Sequence, residues 1–325
     1  MKNKIFENFH WPLFWVVVGL SSFGLINLYS ALYIWGEGVL LGTFSNQCAA
    51  FFVGFLLMIF LALVDYRLWE RFALHIYGTC ILLLAIVLLW GKTVSGHTSW
   101  LALGPIHLQP SEFAKLGLIF VLAKYFSDRA TIWGFSLRPL IKPIVLAFLP
   151  LALVLLQKDL GSSLFFPLLF LTVALVARIQ RKTLFVFLCL LITAGGLTYN
   201  FGLKEYQKER IRIFVNPESD PKKSGYHLIQ SKIAVGSGKI FGKGYLKGKI
   251  NKLRYLPDKH TDFVFCVLAE EWGFLGSSLC LGLFGSLIWF GLKIGAKARD
   301  TFGCYLAVGI AALFFWHIFD RGNLY

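Results

Sequence analysis

Apolar residues run through this chain in long, nearly unbroken stretches separated by short charged connectors. Nine runs, at about 11 to 33, 47 to 65, 72 to 91, 111 to 126, 140 to 157, 162 to 179, 184 to 203, 262 to 292 and 301 to 319, approach the length that crosses a bilayer as helix. The fourth is short and the eighth is long, with Gly273 and Gly276 where the latter can break. The pattern predicts an all-α fold, a polytopic membrane helix bundle of about nine spans. A large loop of residues 204–261 separates spans seven and eight.

Composition agrees. At 57% hydrophobic, 17% aromatic and 15% charged residues, the chain of 325 is too apolar for a soluble domain. The first run is too long for a cleavable signal and has no small-residue cleavage site after it, so it is expected to stay as a span. All six cysteines fall inside apolar runs without CxxC or CxH spacing. They read as packing residues, and neither a disulfide framework nor a zinc site is expected.

Charge sets the orientation. With the N-terminus in the cytoplasm, fourteen Lys and Arg fall in the inner segments, from Lys2 and Lys4 through Arg67, Arg129 and Arg178 to Lys297 and Arg299. Only Lys92 and Lys158 fall in the short outer loops before the long one. That asymmetry is the positive-inside pattern. Parity then places Lys204 to Thr261 outside, although it holds fourteen basic against five acidic residues. Long loops translocate whatever their charge, and a basic loop this long fits an anionic partner: phosphate, pyrophosphate or lipid headgroups. The plainer reading is a solvated loop resting on headgroups. Within it, GSGKIFGKG alternates glycine with lysine, so backbone N–H and ammonium groups can approach an anion together. It lacks the spacing of a nucleotide-binding loop.

Carboxylates at apolar helix ends carry the candidate chemistry. Asp262, Glu270 and Glu271 lie at the entry into the eighth run, where a charge costs about 2.5 to 3.5 kcal/mol on insertion scales. Either they do chemistry, or they pair with a base elsewhere in the bundle. Gln109, Pro110 and Ser111 predict a helix start with Glu112 near the positive end of its dipole. Glu112 and Lys115 share a face three residues apart, as a structural ion pair or as lining of a wet cavity. Asp159, beside Gly161, either caps the sixth span or faces the same outer cavity and helps to hold a cation.

Five stretches, LALGPIHLQPSEFAK, QKDLGSS, ERIRIFVNPESDP, GYHLIQSKIAVGSGKIFGKG and LPDKHTDFVFCVLAEEWGFLGS, together resemble the SEDS family of bacterial wall synthesis. Within it they resemble RodA more than FtsW, because the N-terminal tail is short. The resemblance runs from the first span to about residue 319 as a single transmembrane domain. It implies a multi-pass protein of the bacterial cytoplasmic (inner) membrane that polymerises peptidoglycan from lipid II with a class B penicillin-binding transpeptidase. Membrane lipids are expected around it, and no nucleic acid. The catalytic aspartate of the family's HTDF motif corresponds to Asp262, beside His260. Extending a glycan expels a polyprenyl pyrophosphate, for which Arg210, Arg212, Lys239 and Lys243 are candidate cations, with Glu112, Lys115, Asp159 and His260 as further substrate contacts. A Mg²⁺ or Mn²⁺ ion is compatible with that chemistry.

The chain also departs from the family pattern. Ser99-Trp100 stands where the family has Arg-Trp, Lys158 where it has proline, Asp258 where it has glutamate, and Gly238-Lys239 where it has Gly-Gly. The family is expected to continue into a tenth span, whereas Asp320 to Tyr325 form an atypical end. Two other functions stay open on the residues alone. One is a lipid II flippase or ion-coupled carrier relaying through Glu112, Lys115 and Asp159; the other is a non-catalytic activator of a penicillin-binding protein.

Overall fold

The computed structural model describes residues 9–34, 38–39, 41–94, 97–103, 106–130, 134–197, 200, 208, 224–248 and 264–322. Nine long helices among them match the nine apolar runs: α1 (Trp11–Leu32), α2 (Leu41–Leu63), α3 (Tyr66–Trp90), α4 (Pro110–Asp128), α5 (Leu137–Leu156), α6 (Leu160–Val176), α7 (Arg181–Leu197), α9 (Val264–Ala296) and α10 (Thr301–Gly322). A shorter helix, α8 (Ser224–Ser237), lies in the long loop. Six of the nine are long and apolar enough to cross a membrane, and α6 is a shorter apolar helix. This is a multi-pass membrane protein. Helix α4 falls outside the six because it carries Glu112, Lys115, Lys124 and Asp128 in nineteen residues.

Short antiparallel strands decorate the helix ends, which the apolar runs do not announce. After α1, β1 (Tyr33–Ile34) pairs with β2 (Gly38–Val39). Between α3 and α4, β3 (Lys92–Val94), β4 (His97–Leu103) and β5 (Ile106–Leu108) form a three-stranded meander. Four of these strands have only two or three residues, too few for alternation to register, and HTSWLAL in β4 does not alternate.

The chain divides into two compact units. The first comprises Met1–Leu63, Thr193–Leu287 and Ile318–Tyr325; the second comprises Val64–Ile192 and Ile288–His317.

In the second unit, α3, α4, α5 and α6 pack around Leu84, Leu118, Leu122, Phe126, Phe166 and Phe170, all buried. Two prolines inside α5 shape this packing. Pro143 has no N–H for the carbonyl of Pro139 four residues back, and Pro150 none for that of Leu146. Both orphaned oxygens are satisfied from neighbouring helices. The Tyr125 hydroxyl on α4 donates to Pro139 O, and the Tyr77 hydroxyl on α3 donates to Leu146 O at 2.7 Å. Where α5 ends, buried Gln157 donates from Nε2 to Leu84 O at 3.0 Å.

In the first unit, α1 meets the start of α9. Asn27 Nδ2 donates to Val264 O at 2.8 Å, which ties α1 to the first residue of α9. Helix α9 breaks at Gly273, whose φ of 65° and ψ of −159° are not helical.

Candidate functional site

Two polar groups stand out among the described residues, one in each unit. The group in the second unit is built on the first turns of α4 and α6. Gln109 is the N-cap of α4 and Pro110 its first residue, as the sequence predicts, and Glu112 lies in the first turn. Lys115, one turn on, is 1% exposed, yet its ammonium lies 2.8 Å from both Glu112 carboxylate oxygens. A buried cation needs such partners, because desolvation otherwise outweighs what packing returns. The remaining contacts come from elsewhere in the unit. His317 Nε2, on α10, lies 3.0 Å from Lys115 Nζ, and the Phe165 ring on α6 sits beneath the ammonium at 4.1 Å. With Lys115 donating, His317 Nε2 accepts, which puts the imidazole hydrogen on Nδ1.

Glu112 opens this group outward, its side chain being 46% exposed against 1% for Lys115. Ammonium and imidazole therefore stand behind an exposed carboxylate. His317 Nε2 lies 3.5 Å from Glu112 Oε2 as well.

Asp159 is the N-cap of α6, its Oδ1 accepting from Ser162 N at 3.0 Å and its Oδ2 from Ser162 Oγ at 2.8 Å. It also accepts from Gln109 Nε2 at 3.3 Å. Gln109 thus joins the starts of α4 and α6. The capping expectation holds, and the glutamine link brings Asp159 and Glu112 onto neighbouring helix ends. No three His, Cys, Asp or Glu side chains gather as a metal site among the described residues. The oxygens of Glu112 and Asp159 are engaged by Lys115, Ser162 and Gln109.

The group in the first unit joins the glycine–lysine loop to the break in α9. Lys243 N and Gly244 N donate to the carbonyls of Glu270 and Glu271 at 3.0 Å each, while Phe274 N and Leu275 N donate to Lys239 O and Ile240 O at 2.8 and 3.1 Å. The break at Gly273 frees these α9 groups, and the loop takes them up. Close approach demands glycine at two places. A Cβ on Gly242, with φ of 79°, would meet the Glu271 carbonyl, and one on Gly273 would meet Gly242 N.

The Glu270 and Glu271 side chains, each 1% exposed, fill the space beneath this loop. Lys243 Nζ lies 2.7 Å from Glu270 Oε1. Glu271 accepts from Leu246 N at 3.2 Å and Gly248 N at 3.4 Å, and from Ser30 Oγ on α1 at 2.7 Å. The loop does what its composition suggests, gathering backbone N–H groups and an ammonium about an anion. That anion is a pair of glutamates of the same chain. Tyr245, whose hydroxyl reaches Ile26 O at 3.2 Å, has its pKa raised by burial and by the charge of Glu271.

Of the residues singled out in the sequence, Glu112, Lys115 and Asp159 come together in one unit. Lys243 is engaged with Glu270, and Lys239 is exposed on the turn of the loop. Asp262, His260, Arg210 and Arg212 lie outside the described residues. Three partners escaped the sequence reading: Gln109 as a link to Asp159, Ser30, and His317. An ionisable histidine inside the last apolar run was the available signal for His317.

The model of the FtsW/RodA/SpoVE family of cell cycle proteins matches residues 11–320. The chain belongs to that family. Among FtsW/RodA/SpoVE relatives, it is 36% identical to the peptidoglycan glycosyltransferase MrdB of Escherichia coli strain K12, over 94% of this chain and 84% of that protein. It is 35% identical to stage V sporulation protein E of Bacillus subtilis, over 90% of this chain and 81% of the other. Among solved structures, it is similar to a chain from a peptidoglycan synthase complex that couples polymerization and crosslinking. The TM-score is 0.79 and the identity 31%, over 98% of this chain and 87% of that one. The crystal structure of the Thermus thermophilus rod shape determining protein RodA is similar too, with TM-score 0.67 and 27% identity, over 94% and 81% of the two chains.

Proposed function

We propose that this chain is a peptidoglycan glycosyltransferase that extends glycan from lipid II at the outer face of the bacterial cytoplasmic membrane, alongside a class B penicillin-binding transpeptidase. The observation that carries the reading is its 36% identity, over nearly its whole length, to a protein named for that activity. Placing the N-terminus in the cytoplasm, on the Lys and Arg asymmetry of the short loops, puts the starts of α4, α6 and α9 on the outer side.

In the reaction, a sugar hydroxyl of one lipid II attacks the anomeric carbon of another as the polyprenyl pyrophosphate departs. Asp262, immediately before α9, takes the hydroxyl proton, a role that contributes roughly 10² to 10⁴ in rate. Inversion requires base and leaving group on opposite sides of the sugar. Arg210 and Arg212 balance the charge of the departing pyrophosphate. A divalent cation, Mg²⁺ or Mn²⁺, would supply further charge stabilisation for the pyrophosphate. Glu112, backed by Lys115 and His317, offers a reachable carboxylate to acceptor hydroxyls, with Asp159 on the adjoining helix end. Lys243 is left out of substrate binding because Glu270 already holds it.

The test is polymerisation by purified protein reconstituted with lipid II, read as glycan chains on a gel. Chains should form with wild type and disappear with Asp262→Ala at unchanged thermal stability. Undiminished synthesis by that variant removes Asp262 as the base. Failure of wild type, even with its transpeptidase partner, removes the polymerase reading.

A further inference from the structure

The turn over Gly238–Phe241 is pinned to α9 at both ends, yet it points two large apolar side chains away from the protein. Phe241 is 80% exposed and Ile240 58% exposed. The backbone bonds from Phe274 N to Lys239 O and from Leu275 N to Ile240 O set the turn beside the first residues after the break. Phe274 and Leu275 are themselves 67% and 53% exposed. Four large apolar side chains thus gather at one level of the first unit, held there by main-chain bonds.

That level can be located along α9. Phe274 to Ala296 follows the break, with a length of about 34 Å at the helical rise, close to the roughly 30 Å of bilayer hydrocarbon. Lys293 and Lys297 stand at its far end. Gly273 therefore falls where hydrocarbon gives way to headgroups. The turn, bonded to the two residues that follow Gly273, cannot sit more than about a turn of helix from that boundary.

Charge names the occupant. From Ser224 to Gly248 the chain carries Lys232, Lys239, Lys243 and Lys247 and no acid. Glu270 neutralises Lys243, whereas Lys239 and Lys247, on either side of the apolar tip, are exposed. Apolar tips flanked by lysines suit the acyl and phosphate layers of a membrane with anionic lipid. A protein partner would have to displace the lipid around α9 to reach the same side chains.

We infer that the Lys239–Lys247 loop is a membrane anchor: Ile240 and Phe241 enter the outer leaflet, and Lys239 and Lys247 bind the phosphates of anionic phospholipids. The anchor needs neither lipid II nor Asp262, so its test is independent of the polymerase reading. The full chain, carrying a photoreactive phenylalanine analogue at position 241, is reconstituted in vesicles of phosphatidylcholine alone or mixed with phosphatidylglycerol, irradiated and analysed by peptide mass spectrometry. Phospholipid adducts should form at position 241. Phosphatidylglycerol adducts should exceed their share of the mixture by roughly fivefold or more, and Lys239→Gln/Lys247→Gln should return them to that share. No lipid adduct in either vesicle, or an unchanged lipid preference in the double variant, overturns the proposal. So does capture of a protein in place of lipid when the same probe is irradiated in native membranes.

Discussion

Ser30 Oγ lies 2.7 Å from both carboxylate oxygens of Glu271, 241 residues away in the chain. One hydroxyl hydrogen serves one oxygen at a time, and the loop takes one oxygen with each N–H, Leu246 N on Oε2 and Gly248 N on Oε1. A single acid therefore holds α1 and the loop to α9. Glu271→Ala leaves three buried or half-buried donors unmet and should cost about 3 to 5 kcal/mol. Ser30→Ala should cost about 1 kcal/mol. Thermal unfolding in detergent should rank them in that order, and equal losses would contradict the geometry.

Gly242→Ala should loosen the loop. It combines a positive φ with a Cβ directed at the Glu271 carbonyl, a strain of about 1 to 3 kcal/mol. Gly236→Ala, whose Cβ would meet nothing within 4 Å, is the control. Limited proteolysis should cut Gly242→Ala near Lys239 and Lys243 much faster than either wild type or the control.

Lys115 separates stability from activity. Lys115→Met keeps the volume over the Phe165 ring without a buried charge, and such exchanges are often neutral or stabilising. Its melting temperature should hold, while glycan synthesis should fall about tenfold or more if Glu112 relies on its neighbour. Glu112→Ala leaves the ammonium with the imidazole and ring, and should cost about 3 kcal/mol. Full activity in Lys115→Met would make the pair purely architectural.

Asp159 is read in the same way. Asp159→Asn keeps an acceptor for Ser162 N and should stay within about 0.5 kcal/mol of wild type, whereas Asp159→Ala should lose about 1 kcal/mol with the cap. Polymerisation falling in both variants assigns the charge a part in the reaction. Loss confined to the alanine variant assigns the cap alone.

The helices were legible in the sequence because each is written as a local run of about twenty apolar residues, and the break at Gly273 was legible because that run was too long. The start of α4 and the cap at Asp159 were legible for the same reason: they depend on neighbours within four positions. What the sequence withheld was partnership at a distance. Glu270 and Glu271 read as possible chemistry and the glycine–lysine loop as a cradle for an outside anion, and nothing in either stretch says that each completes the other. His317 was hidden similarly, since a lone histidine in an apolar run does not point to the lysine 202 residues before it.

Tyr77 and Pro150 make a last pair of this kind. The proline strips Leu146 O of its helical donor, and the tyrosine supplies another. Tyr77→Phe alone strands a carbonyl in an apolar interior, whereas Tyr77→Phe together with Pro150→Ala restores the helix's own bond. The two losses cannot add. The phenol is thus worth most where the imino acid is present: with alanine at 150 the carbonyl has a donor of its own, and little is lost when the hydroxyl goes.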